Sequence, residues 1–496
     1  MEPLNQRFIV LPREGLFSGG GPAFDVLSRF PVVRSTQSPI RMRLTEGAAQ
    51  VRVIDSVAEN GPKLIEVDDS RTMRRYNNPR SPIRAVPLVE YHRPAPFVRA
   101  FGDVTSAMAG GLSLVTIECV DSVTALPVPD AQVVAFTDFA GRAGDDAATD
   151  VSGRALLELA STTIERIYVY PPAGYWGAFA AAIDAAVPIR LLLTQVDLSY
   201  VDAVRHYYPA SNLDLSTGVN IGIIDTGCGP HTDLQIVGGA NTVTGEPPDE
   251  FQDGGVHGTH VAGLIGAGGT PPTGLRGVAP GGPLHAYRVF PAGDGGATNY
   301  SVLKAMIAAA GDRCDIVNLS LGGGPFDSIV EEAITDARNQ GMLVVVAAGN
   351  DDRSAVSYPA AYTGATAVSA LGRIGTFPDG SLEQADVMLS PPGSDPDEFI
   401  AAFSNVGPQI AVTAPGVGVL STLPAQGFGP MSGTSMAAPV AAGAAACLLS
   451  RDPVVYGMAR TRARSDAIER LLLTNCVRRG FGAVFEGFGL PDPTLV

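Results

Sequence analysis

The feature that most constrains this chain is a run of short, wholly apolar segments alternating with amphipathic ones across residues 196–496. GVNIGIID (218–225), LHAYRVF (284–290), DIVNLSL (315–321), MLVVVAAGN (342–350), ATAVSAL (365–371) and QIAVTAP (409–415) read as strands. Strands without polar alternation are buried on both faces, which is how strands of a parallel sheet behave. NYSVLKAMIAAAGD and SIVEEAITDARNQG read as helices lying between them. The pattern predicts an α/β fold, a parallel sheet with helices on both faces. In such sheets, sites form beyond the carboxyl ends of strands, so residues there carry the functional reading.

Two further regions precede this one. Residues 100–195 are rich in short strands about ten residues apart and predict a small antiparallel β-sandwich acting as an accessory domain. Its side chains include no cluster of titratable groups, which favours a spacer or docking module. In residues 1–99, strands are expected at 7–12, 49–58, 63–69 and 83–91, with helices at 24–30 and 70–78. The order is β-α-β-β-α-β, an α+β ferredoxin-like arrangement. The expected domains are therefore 1–99, 100–195 and 196–496.

The net charge of −16 is unevenly spread. Residues 1–99 carry 15 basic and 10 acidic side chains (net +5), residues 100–195 carry 4 and 11 (net −7), and the remainder carries 15 and 29 (net −14). An acidic bulk argues against nucleic acid as a partner. A basic first region beside an acidic last one suggests mutual attraction. AFAAAIDAAVPIRLLL is broken by Asp184, Pro188 and Arg190, so no membrane span or membrane partner is expected. The five cysteines are odd in number and far apart, which is neither a disulfide framework nor a metal motif. MEPLNQRFIVLPREGLF lacks a basic, then apolar, leader. A cytoplasmic location follows as the expectation, or secretion if a leader has been trimmed.

Three segments sit at strand ends or helix starts. VNIGIID runs into Asp225-Thr226-Gly227, HGTHVAG starts at His257, and Gly433-Thr434-Ser435-Met436-Ala437-Ala438-Pro439 opens an apolar helix. Each has a plain structural alternative: a turn, a helix-start histidine, an N-cap. Four more segments accompany them: Gly277-Val278-Ala279-Pro280, Asn318-Leu319-Ser320-Leu321-Gly322-Gly323, Ala347-Ala348-Gly349-Asn350 and Tyr358-Pro359-Ala360. Together, in the order Asp, His, Ser on an α/β frame, these segments resemble the subtilisin-like serine proteases over residues 196–496. The spacing of His257 and His260 also fits zinc, but the glutamate of the HExxH motif is missing, and no catalytic metal is expected.

The resemblance implies a serine endopeptidase acting on peptide or protein substrates. It makes Ser435 the nucleophile, His257 the base and then acid, and Asp225 the group that orients the imidazole. It places the oxyanion donors at the Asn350 side-chain amide and the Ser435 backbone N–H. Substrate would pair with Ser320-Leu321-Gly322, and Ala347, Ala348, Gly349 and Tyr358 would wall a pocket for an apolar side chain. His260 is expected to be a packed neighbour, and Pro439 to fit the first turn of the Ser435 helix. Catalysis would need no cofactor. Structural calcium is a possible role for the acidic loops Asp249–Asp253 and Asp351-Asp352, solvated loops being the plain alternative.

Residues 1–99 resemble the inhibitory propeptides of that family, which makes the chain's own N-terminal domain an expected intramolecular inhibitor and the protein an autoprocessed zymogen. YHRPAPFVRAFGD (91–103) would supply the tail in the cleft. The stretch 372–398, rich in proline and acid, reads as a lid or docking loop. Cys228, close in sequence to Asp225, is expected to confer modest sensitivity to thiol reagents. The competing readings are a peptide-binding pseudoprotease and a regulatory scaffold.

Overall fold

A computed structural model describes residues 6–13, 15, 22–43, 50–67, 73, 77–92, 112–185, 189–209, 216–293 and 295–495. All six strands expected after residue 196 are present, in one sheet. Its order is Ile236–Asn241, Leu284–Arg288, Ile221–Asp225, Ile316–Leu319, Leu343–Ala347 and Thr366–Arg373, every neighbour parallel. Ile410–Pro415 extends it in parallel, and Glu398–Ile400 adds an antiparallel strand. The edge strands Ile236–Asn241 and Glu398–Ile400 escaped the sequence reading, the first because IVGGAN is glycine-broken and only half-buried. Helices Asn299–Gly311 and Ser328–Asn339 cover one face. His257–Gly266 and Thr434–Arg451 lie in the other core. Both of those helices are built of small residues and are buried almost throughout, which lets them lie close to the sheet.

The accessory domain is a sandwich of a three-stranded and a four-stranded sheet around Ile117, Val133, Leu157 and Ile167. It is not wholly antiparallel: Ile189–Leu193 runs parallel to Ser113–Asp121. The stretch 372–398 receives it. Leu382–Asp386 forms a short 3-10 turn against Phe136, Tyr168 and Phe179, and Leu382 N donates to Gly177 O while Phe179 N donates to Gly380 O. The polar stretch is thus a docking loop. Trp176, the only tryptophan of the chain, keeps its backbone on the sandwich, its N donating to Thr194 O, but buries its side chain in the catalytic core beside Tyr200.

In the first domain the sheet order is Ile40–Arg43, Gln50–Ser56, Lys63–Val67, Gln6–Pro12 and Ile83–Pro87, all antiparallel. The four expected strands are in the order of a split βαβ unit, with Ile40–Arg43 as an additional edge. The first helix is shorter than expected, Pro22–Leu27, and most of the second expected helix lies outside the described residues. Side chains alternate along Gln6–Pro12. Val10 faces the domain's own core with Leu27 and Phe30, while Ile9 and Leu11 face the helices Asn299–Gly311 and Ser328–Asn339.

Charge is secondary in this contact. Arg84 pairs with Glu332 as the net charges suggest, but Lys304 pairs with Asp55 at 2.8 Å in the opposite sense. Asp55 is buried and also accepts from Thr244 and Ser35. The docking surface is an apolar sheet face pinned by specific ion pairs, so the charge split does not drive it. Among the described residues no helix is long and apolar enough to cross a membrane.

Trp176 tests the second seam. In a Ser435→Ala background, its emission is that of a buried indole, and Trp176→Ala costs about 3–5 kcal/mol in denaturant titrations. Exposed-indole emission in the native protein would contradict this packing.

Candidate active site

Asp225 ends the strand Ile221–Asp225 and is fully buried. Its Oδ1 accepts from His257 Nδ1 at 2.8 Å and from Thr226 N at 2.7 Å. A carboxylate that only accepts requires the proton on Nδ1, which leaves Nε2 of the neutral ring as the basic nitrogen. That nitrogen is buried and has no hydrogen-bond partner. The imidazole reaches the carboxylate because residue 258 is glycine: a Cβ there would collide with Gly227 O.

The start of the histidine helix is secured by Asp253, a residue the sequence reading treated only as part of an acidic loop. Its carboxylate accepts from Thr259 N at 2.7 Å, Thr259 Oγ1 at 2.5 Å and Thr226 Oγ1 at 2.7 Å. Thr226 Oγ1 in turn accepts from Gly258 N at 2.9 Å. One carboxylate therefore ties the Asp225 strand end to the His257 helix start. The available signal was an acid four residues before a helix-start histidine.

Ser435 is the second residue of Thr434–Arg451, nine-tenths buried, with Oγ 3.4 Å from Ser320 O. Pro439 stands in the second turn rather than the first. Its ring nitrogen has no hydrogen for Ser435 O, the carbonyl four residues back. Ser320 Oγ donates to that carbonyl instead, at 2.8 Å, and itself accepts from Asn318 Nδ2 at 2.9 Å. The proline thus frees an acceptor through which the strand end Ile316–Leu319 is tied to the serine helix. Ser320 supplies this link as well as backbone for substrate.

Asn350 Oδ1 accepts from Thr434 N and Thr434 Oγ1, both at 2.9 Å. Holding the oxygen this way turns the amide nitrogen toward Gly433 and the start of the serine helix. Gly349, at φ 107°, is required: a Cβ would collide with Asn405 Nδ2 and Ser357 Oγ. Asn405 fixes the loop by bonding Asp351 twice, through Asp351 N at 2.8 Å and Asp351 Oδ2 at 2.8 Å. Ala347 and Ala348 are buried beside it, and Tyr358 stacks with Tyr362 at a centroid distance of 4.6 Å.

Asp253 and Asp351, both named for calcium, accept hydrogen bonds from within the chain. Among the described residues no three His, Cys, Asp or Glu side chains converge. Cys228 is buried with Sγ 3.5 Å from Gly258 O, and burial pushes its thiol well above the ordinary range. Reactivity with bulky reagents is therefore not expected, contrary to the sequence reading.

The cleft holds a segment of the chain itself. Tyr91 pairs with Ala297 and Glu90 with Thr298, while His92 bridges antiparallel to Gly322. Asn299 anchors the approach, its N donating to Val89 O at 2.9 Å and its Oδ1 accepting from Val89 N at 3.1 Å. Tyr91 is fully buried, its ring against Gly324, where any side chain would collide with it. The remainder of the expected tail, residues 93–103, lies outside the described residues.

His260 is a buried neighbour, its Nε2 donating to Gly429 O at 3.1 Å; burial, with His257 close by, pushes its pKa down to about 3. An unfolded histidine titrates near 6.5. Between these values only the unfolded chain takes the proton, so stability falls as pH drops from 6.5 toward 3, by about 1.4 kcal/mol per pH unit. In a Ser435→Ala background, His260→Asn should remove this increment from unfolding curves taken between pH 7 and 4. An unchanged pH slope would show that His260 titrates normally in the fold.

The subtilase family pattern matches residues 216–490, more than half of the chain. Subtilisin BL of Lederbergia lenta is 38% identical over 237 residues, covering 48% of this chain and 78% of that protein. Subtilisin DY of Bacillus licheniformis is 38% identical over 255 residues, 50% of this chain and 83% of its own. An alkaline protease of Alkalihalobacillus alcalophilus is 38% identical over 237 residues, which is 55% of its length. A parallel sheet carrying Asp225, His257 and Ser435 at its strand and helix ends, with these likenesses, makes the chain a subtilisin-like serine endopeptidase belonging to the subtilase family.

Proposed function

We propose that Asp225, His257 and Ser435 form the triad through which this subtilase cleaves peptide bonds, and that its first domain holds it as a zymogen. The observation that carries the first part is the buried His257 Nδ1–Asp225 Oδ1 bond of 2.8 Å, which leaves Nε2 as the free, basic nitrogen. Ser435 Oγ attacks the scissile carbonyl as His257 takes its proton, and the imidazolium is stabilised by Asp225. Charge on the carbonyl oxygen is met by Asn350 Nδ2 and Ser435 N–H, the latter at a helix N-terminus. His257 then gives the proton to the leaving amine, and water resolves the acyl-enzyme by the same route. A structural serine nucleophile–base distance is often loose before substrate arrives, which is consistent with the unpartnered Nε2.

The zymogen reading rests on residues 90–92, which lie as an extended strand between Ala297-Thr298 and Gly322, where a peptide substrate would pair. Ala347, Ala348, Gly349 and Tyr358 then flank the acyl side of the bond to be cut. A domain that docks on two helices and lays its own strand in the cleft competes with substrate at an effective concentration no free peptide matches.

Asn350→Leu should lower kcat by about 10²–10³ with KM little changed, a magnitude known for the corresponding donor in a subtilisin rather than obtained from these distances. Steady-state hydrolysis of a chromogenic peptide checks it, and a variant of undiminished kcat would remove Asn350 from the oxyanion site. For the zymogen, intact mass and peptide hydrolysis are followed together in the wild type, Ser435→Ala and Tyr91→Gly. Ser435→Ala stays full-length. The wild type either shortens or, while whole, hydrolyses peptide more slowly than Tyr91→Gly. A whole wild type as fast as Tyr91→Gly would refute self-inhibition.

A further inference from the structure

A cavity of about 260 Å³ lies along the seam between the sandwich and the catalytic domain. Tyr168, Tyr170 and Tyr175 line it from the sandwich, and Val256, Leu382 and Met431 from the catalytic side. It reaches the chain neighbours of two proposed catalytic groups. Val256 is the residue before His257, where the helix begins, and Ser432, also in the wall, precedes the serine helix by two residues. Ala297, Gly322, Ala347, Gly349 and Tyr358, which surround the acyl side of the cleft, do not line it.

The chemistry gives this space a direction. In acyl transfer by a triad the histidine passes its proton to the leaving amine, so the leaving portion of the peptide lies on the histidine's side of the serine. The cavity opens beside Val256 and is therefore on that side. Resting on the catalytic reading above, we propose that the accessory domain completes a subsite for the leaving-group portion of the substrate, one that takes a large apolar or aromatic side chain.

The lining supports that class of occupant. Val256 is 38% exposed, a branched apolar side chain left open beside the proposed base. The sandwich presents aromatic faces, which favour stacking with aromatic or long aliphatic groups. Glu383 and Asp386 are also in the wall, and Glu383 Oε2 is buried without a hydrogen-bond partner. Burial pushes the Glu383 carboxyl up. A carboxylate brought here would be desolvated beside two acidic side chains, which disfavours acidic residues. The docking of the sandwich through Leu382 and Trp176 thus serves the cleft as well as the fold.

The test uses the isolated protein with internally quenched peptides of one acyl sequence, varied only over the first two leaving-side positions, and a methyl ester of the same acyl sequence. Phenylalanine or leucine should exceed alanine in kcat/KM by roughly tenfold or more, with aspartate lowest. Ala173 is exposed at the sandwich rim of the cavity. Ala173→Trp should bring the phenylalanine-to-alanine ratio toward one, while Ala173→Ser keeps it. A wild type that hydrolyses the ester but shows no leaving-side preference overturns the subsite and leaves the triad standing, as does an Ala173→Trp variant with the wild-type ratio. If neither the wild type nor Tyr91→Gly, in which the proposed inhibitory strand is loosened, hydrolyses ester or peptide, the catalytic reading falls and the subsite with it.

Discussion

Much of this molecule depends on one buried contact, the 2.8 Å bond between His257 and Asp225. A carboxylate with no exposed surface at the end of a central strand is costly unless its lone pairs are used. The chain uses those of Oδ1 on the imidazole and on Thr226 N, while Oδ2 is buried without a hydrogen-bond partner. Everything around the contact keeps its two sides in register. Gly258 removes the side chain that would hold helix and strand apart, Asp253 ties both ends to one carboxylate, and the small-residue helices permit the close packing that brings Ser435 in. The network serves geometry before it serves chemistry. An imidazole fixed by one nitrogen presents the other in a defined direction.

The two accessory domains meet the catalytic domain at separate seams. The first lays an apolar sheet face on helices Asn299–Gly311 and Ser328–Asn339 and extends Tyr91 and His92 along the acyl side. The second inserts Trp176 into the catalytic core and closes a cavity beside Val256. Both docking surfaces are chiefly apolar. The uneven net charge is therefore a poor guide to assembly: the ion pairs at the first interface run in both senses, and the acidic sandwich packs against a partner that is also acidic.

Those parts of the fold were legible where a local rule sufficed. Continuous apolar runs located the six central strands, and strand-end position picked out Asp225 before any function was considered. Residues whose roles depend on distant partners were not legible. Asp253 looked like solvated acid because its partners Thr226 and Thr259 meet it only in the fold. Pro439 reads as a tolerated helix proline until Ser320 is seen to bond the carbonyl it leaves free. The stretch 372–398 has a loop's composition because its purpose is to receive another domain, and the side chains that receive it, Leu382 and Ala385, are set among polar ones. Cys228 looked reactive from its sequence neighbours, but burial decides its chemistry.

The central claim, that Ser435 is activated by His257 held on Asp225, is tested most directly by fluorophosphonate labelling read by intact-protein and peptide mass spectrometry. The wild type should take up one phosphonyl group per chain, mapped to Ser435, with Asp225→Asn labelled on the order of 10⁴-fold more slowly because the imidazole loses its required tautomer. A wild type that is labelled elsewhere, or an Asp225→Asn variant labelled at the wild-type rate, would contradict it.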